Sequence, residues 1–301
     1  EIYTRKIVGK RQMCIRDRCN IYCHVPSSSQ AWRNYTDYNP PNLFYINNIS
    51  TFGNNITYDA VICNDKLNQY DRALQIAKSF HIPLIVVDHA TYIEQLNPAH
   101  ITQIEESVKA HKFVSVDETI YQNWGQKGEV IPYGIDIPST TGKEKDIPFM
   151  IMGKFSDNEI PSVRNISEEL GAQVYGDNPG FSKPVNLWLN FIELFQRTKV
   201  FINLSIHTDI SIELLTAMAC DCGIVSNNPT IIRNLLENEK NAYLVRNFED
   251  YISFCKRMIQ NESFRIEAAK LNKKILEKFD TTVFTNKWNN VFNEIKQQAF
   301  I

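Results

Sequence analysis

The chain has 301 residues, of which 43% are hydrophobic and 22% charged, with a formal net charge of −2. That is enough chain for two domains, each burying its own core, in a globular protein. The charge gives no footprint for nucleic acid, no apolar run reaches the length of a membrane span and no start reads as a signal peptide, so cytoplasmic residence is the expectation.

In chain order, residues 1–18 carry six Lys/Arg against two Asp/Glu, and Met13-Cys14-Ile15-Arg16-Asp17-Arg18 reads as a translated adapter remnant. The segment is set aside as non-native, a genuine basic arm being the alternative. Residues 19–138 alternate short apolar runs with helical stretches, the pattern of a parallel sheet flanked by helices. Strands are expected at 20–24, 43–46, 60–63, 84–88, 113–116 and 129–132. A helix over 69–80 puts Ala73, Ile76, Ala77 and Phe80 on one face.

Residues 139–146 are polar, lack periodicity and read as a linker. The alternation restarts over 147–280, with strands expected at 149–152, 173–175, 200–203, 223–225 and 242–245. Helices are expected near 162–170, 187–196, 211–220, 229–236, 248–259 and 262–279. A terminal helix at 283–297 carries Phe284, Trp288, Val291 and Phe292 on one face. The fold class is α/β, two doubly wound Rossmann-like domains facing a cleft, with ligands outside the carboxyl ends of the strands.

Seven cysteines are an odd number and sit mostly in apolar elements, so they read as reduced core residues. Cys19-x-x-x-Cys23 and Cys220-x-Cys222 lack a second pair at zinc-site spacing, and no Asp-x-Asp is present to hold a divalent ion. No metal and no cofactor are expected. The chain also lacks Gly-x-Gly-x-x-Gly and Gly-x-Ser-x-Gly, the signatures of a dinucleotide fold and a hydrolase elbow.

The most informative stretch is Ile202-Asn203-Leu204-Ser205, then Ser211-Ile212-Glu213-Leu214-Leu215-Thr216-Ala217-Met218-Ala219-Cys220-Asp221-Cys222-Gly223-Ile224-Val225. It reads strand, polar turn, helix, strand. A helix start of this kind binds phosphate, because its first N–H groups have no partner within the helix and the peptide dipoles place positive charge there. Ser205, Ser211, Ile212 and Glu213 are the candidates for that role. Glu213 and Thr216, three residues apart, share a helix face.

Ala217-Met218-Ala219-Cys220 with Ile224-Val225 behind it resembles the nucleotide-sugar motif of the GT-B glycosyltransferases, family 4 type, usually Glu-Ala-Met-Ala-Cys-Gly-x-Pro-Val-Val. Thr216 stands where that motif has its ribose-binding Glu, Asp221 for Gly and Gly223 for Pro, while Thr208 occupies the place of the family's other Glu. Val130-Ile131-Pro132-Tyr133-Gly134-Ile135-Asp136 resembles the segment that ends the first domain in that family. There Gly134 is expected to take a positive φ at a sharp turn.

The resemblance implies a glycosyltransferase that moves a sugar from a nucleotide-diphosphate donor to a glycan or other hydroxyl acceptor, with retention and without metal. The nucleotide-sugar is then substrate, not cofactor. It implies Gly153 and Lys154 near the diphosphate, and the loop of Gly176 and Asn178 beside the base. Glu213 would stand in for the displaced Glu, with Thr216 offering one weaker ribose contact, and His89 would face sugar or acceptor; His89 and Glu213 are the catalytic candidates. A catalytically degenerate binding protein and a sugar-nucleotide epimerase are the rival readings, and a peripheral membrane contact stays open.

Overall fold

The computed structural model describes residues 21–24, 43–46, 60–64, 67–88, 112–123, 125–135, 144–153, 155–176, 178, 180–185, 188–204, 210–227 and 235–298. The chain divides into two compact units. One runs up to Gly134 and takes in Thr281–Ile301, and the other is Ile135–Asp280 with the short segment Arg33–Asp37.

In the first unit, β1 (Ile21–His24) pairs in parallel with β2 (Leu43–Ile46) as a sheet of its own. A second parallel sheet runs in the order β3 (Val61–Asn64), β4 (Leu84–Asp88), β5 (Lys112–Ser115), β6 (Glu129–Val130). Helix α1 (Leu67–Phe80) packs on β3 and β4 through the buried Ala73, Ile76 and Ala77, the stripe its 3.6-residue period dictates. Every residue of β4 is buried, as a parallel strand covered on both faces requires. A short helix α2 (Glu118–Asn123) starts on Asp117, whose carboxylate accepts the Ile120 N–H at 2.9 Å.

The second unit holds one five-stranded parallel sheet of β7 (Ile147–Met152), β8 (Gln173–Tyr175), β9 (Thr198–Asn203), β10 (Gly223–Asn227) and β11 (Tyr243–Val245). Its spatial order is β11-β10-β9-β7-β8. Helices α3 (Ile160–Leu170), α4 (Trp188–Arg197), α5 (Ile212–Ala219), α6 (Phe248–Gln260) and α7 (Glu262–Leu276) accompany it. One core joins Phe149, Ile151, Val200, Ile202, Val225 and Tyr243 from the strands to Val163, Ile166, Cys255 and Met258 from the helices. A 3₁₀ turn, Glu277–Phe279, ends α7. Of the helix expected near 229–236, residues 229–234 lie outside the described residues, and Leu235 and Leu236 are buried.

Helix α8 (Thr281–Gln298) belongs to the first unit. Phe284, Trp288, Val291 and Ile295 are buried along it, and Lys287 donates to the Val130 carbonyl at 2.8 Å. Lys112 bridges Glu129 at 2.6 Å and Glu294 of α8. Burial alone would lower the Lys112 pKa, but the two carboxylates outweigh it and raise it.

Gly134 departs from expectation. It is not among the positive-φ glycines; a Cβ there would lie 2.8 Å from Cβ and Cγ of Phe284. The residue is small because α8 packs against it, not because the backbone turns left-handed.

Candidate functional site

The order β11-β10-β9-β7-β8 reverses direction between β7 and β9: the strand after β7 lies on one side of it, and the next on the other. Such a switch point opens a crevice at the carboxyl ends, where the two outgoing loops part. The loop after β7 begins at Gly153, the loop after β9 at Leu204, and the latter leads into α5. The sequence candidates Lys154, Ser205 and His89 lie outside the described residues.

Helix α5 is built from good helix formers and capped as its sequence predicts. Ser211 sits at N-cap with φ −79° and ψ 148°, and its Oγ accepts the Leu214 N–H at 3.1 Å. That leaves the N–H groups of Ile212 and Glu213 as the N-terminal donors with no partner inside the helix. Glu213 is half-buried in the first turn. Thr216, one turn on, is fully buried, and its hydroxyl donates to the Ile212 carbonyl at 2.7 Å. As folded, Thr216 is part of the core beneath the helix start and its proton is committed within α5.

The departure at Asp221 has a conformational account. It takes φ 58°, a left-handed value that the family motif meets with Gly and that Asp tolerates among the other residues. Its carboxylate is held by Lys273 of α7 at 2.7 Å. Neighbouring Cys220 and Cys222 are buried, and desolvation raises both thiols, Cys222 to about 11. Lys145 donates to the Cys220 and Thr198 carbonyls at 2.7 and 2.6 Å, tying down the chain at the amino-terminal edge of the sheet.

At the carboxyl edge a buried polar layer braces the strand ends. Asn203 of β9 donates to Ser226 Oγ of β10 at 2.9 Å, and Tyr251 of α6 donates to the Asn203 carbonyl at 3.0 Å. Burial raises the Tyr251 pKa, so it stays a donor. Sequence reading did not single out Tyr251, because a Tyr on an amphipathic helix carries no signal that its hydroxyl reaches a strand end.

The loops after β7 and β8 are joined. Gly153 donates its N–H to the Tyr175 carbonyl at 3.1 Å. Gly176 has φ 150°, and a Cβ on it would fall 1.9 Å from the Gly153 oxygen, so only glycine lets these backbones meet. Asn178 closes the junction. Its Oδ1 accepts the Phe155 N–H at 2.9 Å and its Nδ2 donates to the Phe155 carbonyl at 2.7 Å. The structure therefore gathers Gly153, Gly176 and Asn178 at one junction, and Ser211, Ile212, Glu213 and Thr216 on one helix start.

In the first unit, Asp88 and Ser115 are register partners at the carboxyl ends of β4 and β5, both fully buried. The Ser115 hydroxyl has no hydrogen-bond partner among the described residues. Sequence reading treated Ser115 only as part of an apolar strand.

No family model and no curated protein matches the chain. Solved structures do. The Anabaena protein Alr3699/HepE, in complex with UDP and glucose, superposes with a TM-score of 0.63 at 10% identity, over 79% of this chain and 78% of that one. Sucrose-phosphate synthase from Thermosynechococcus elongatus gives 0.60 at 11%, over 80% and 74%. TarM gives 0.60 at 14%, over 78% of this chain and 54% of TarM, so the chain spans about half of TarM's length. No described helix is long and apolar enough to cross a membrane. The fold of this chain is that of the GT-B glycosyltransferases, α/β with two Rossmann-like domains.

Proposed function

We propose that the chain is a glycosyltransferase that transfers a sugar from a nucleotide-diphosphate donor to the hydroxyl of a glycan or similar acceptor, with retention and without a divalent ion. One observation carries the reading: a Ser-capped helix start, with the N–H groups of Ile212 and Glu213 presented, follows the strand that borders the switch point. The Gly153–Gly176 junction follows the strand on the other side of that point. In this reading the diphosphate accepts from Ile212 and Glu213 N–H, and Lys154 offsets the charge that grows on the leaving diphosphate. The Glu213 carboxylate accepts the ribose hydroxyls.

The acceptor oxygen then bonds to the anomeric carbon as the bond to the diphosphate breaks. The nucleoside diphosphate leaves with the electron pair, and the hydroxyl proton passes to it or to solvent. His89 contacts the donor sugar or the acceptor. The solved relatives support this reading: HepE is seen with UDP and glucose, and TarM with UDP.

Titration with UDP, GDP, ADP and dTDP by calorimetry, followed by transfer from the matching labelled nucleotide-sugar, tests the reading. Saturable binding of one of them and labelled product in the presence of chelator are expected. Strict dependence on manganese or magnesium, abolished by chelator, would overturn the metal-free mechanism. Failure of every nucleotide to bind would overturn the reading itself. A second reading, a binding protein without turnover, is favoured by Thr216: the place of the motif's carboxylate is filled by a buried hydroxyl bonded inside its own helix. Binding without transfer or hydrolysis selects it. An epimerase would convert the donor with no acceptor and no nucleotide released.

A further inference from the structure

We infer that Asn178 is a positioning residue rather than a reader of the nucleotide base: it latches the turn after β7 into the shape on which diphosphate binding depends. This deepens, and rests on, the nucleotide-diphosphate reading above. The two obvious polar functions of its side chain are both engaged by one residue, Oδ1 by the Phe155 N–H at 2.9 Å and Nδ2 by the Phe155 carbonyl at 2.7 Å. The amide thus pairs with a backbone as a strand neighbour would, extending the contact between β7 and β8 past their ends.

Asn178 is itself held. Its N–H donates to Ser182 Oγ at 3.0 Å, and its carbonyl accepts from the N–H groups of Phe181 and Ser182. Phe155 is fixed from its other side, its ring buried in the core of the second unit. Just before it, Gly153 donates to Tyr175, and its oxygen faces Gly176 so closely that no side chain fits. The turn leaving β7 is therefore pinned at Gly153 by backbone and at Phe155 by the Asn178 amide, and it stands at the switch point. An anchored turn keeps its shape without an ordering cost at the moment of binding.

The two roles predict different patterns. For Asn178→Ala, calorimetry with UDP, GDP and inorganic pyrophosphate is expected to show weakening by about three- to tenfold, the scale of one or two lost hydrogen bonds. The factor should be the same for each ligand the wild type binds, base or no base. Ser182→Ala, which removes only the outer support, should give the same uniform pattern at smaller size, and it serves if Asn178→Ala folds poorly. Loss confined to one nucleotide, with pyrophosphate unaffected, would overturn the latch in favour of base recognition.

Hydrogen exchange separates failure of the latch from failure of the reading. The Phe155 amide should lose at least tenfold of its protection in Asn178→Ala, with amides of β9 unchanged. Unchanged protection at Phe155 overturns the latch whatever the ligands do. Lost protection in a protein that binds none of the three ligands supports the latch and overturns the nucleotide reading.

Discussion

Glu213 is the one carboxylate in the first turn of α5, at the end of the helix that favours an anion. If it accepts ribose hydroxyls, Glu213→Ala should weaken nucleoside diphosphate binding by about 1 to 3 kcal/mol and leave pyrophosphate nearly unaffected, as calorimetry would show. Thr216→Val is the matching control. The Thr216 hydroxyl already donates to Ile212 within a fully buried side chain, so its loss should leave nucleotide affinity unchanged; a drop comparable to that of Glu213→Ala would mean that Thr216 reaches the ribose. Six positions beyond Thr216, the chemistry concerns stability. The Cys222 thiol is raised from 9.0 to about 11 by desolvation, so between those values the unfolded chain releases a proton that the folded chain keeps. Stability is full below pH 9 and falls as pH rises through that window, by on the order of 2 to 3 kcal/mol from this group. Cys220 and Cys255, also raised by burial, act in the same direction. Cys222→Ser keeps a donor toward the Phe195 and Thr198 carbonyls but removes the titration, so urea melts of the variant between pH 8 and 11 should show a shallower loss. An equal slope in both proteins would show that the thiol ionises as freely folded as unfolded.

Among the elements, α5 has the most to lose from a single change. Ser211→Ala removes the acceptor for Leu214 N–H and should cost about 0.5 to 2 kcal/mol in a denaturant melt, whereas Ser211→Asp should retain stability and repel a diphosphate. Melts unchanged in Ser211→Ala would show that the cap contributes nothing. This helix was legible in the sequence because its signals are local: a Ser before a run of helix formers, then an apolar strand. The strands were legible for the same reason, as continuous apolar runs such as Leu84–Asp88. What the sequence hid depends on neighbours far along the chain. Gly134 looked like a turn glycine until α8 placed Phe284 against it, and Asn178 looked like loop punctuation until β7 and β8 came side by side. Asp221 read as a departure from a motif, yet it adopts the left-handed geometry that Gly would serve and gains Lys273 as a partner. That β1 and β2 pair with each other, and among the described residues not with the four-stranded sheet, was equally invisible, since apolar runs do not announce their pairing partners.

On the scale of the whole molecule, the two units differ in how the chain builds them. The second is essentially one continuous stretch, Ile135–Asp280, and the described residues of its core cluster lie within it. The first is discontinuous, needing α8 from the far end of the chain to bury Phe284, Trp288, Val291 and Ile295 and to bring Glu294 to Lys112. Two truncations should therefore behave differently. A chain ending at Asp280 strips an apolar helix face from the first unit, and each large side chain lost from such a face costs about 3 to 5 kcal/mol. Its first unit should be degraded in limited proteolysis under conditions where the full chain resists, while fragments of the second unit persist. Residues 135–280 alone should keep a cooperative thermal transition and, on the nucleotide reading, bind the same nucleoside diphosphate as the full chain, because Gly153, Gly176, Ser211 and Glu213 all lie within them. A fragment that folds cooperatively yet binds no nucleotide would show that donor recognition needs residues of the first unit. A fragment that fails to fold would show that the core of the second unit is not sufficient by itself.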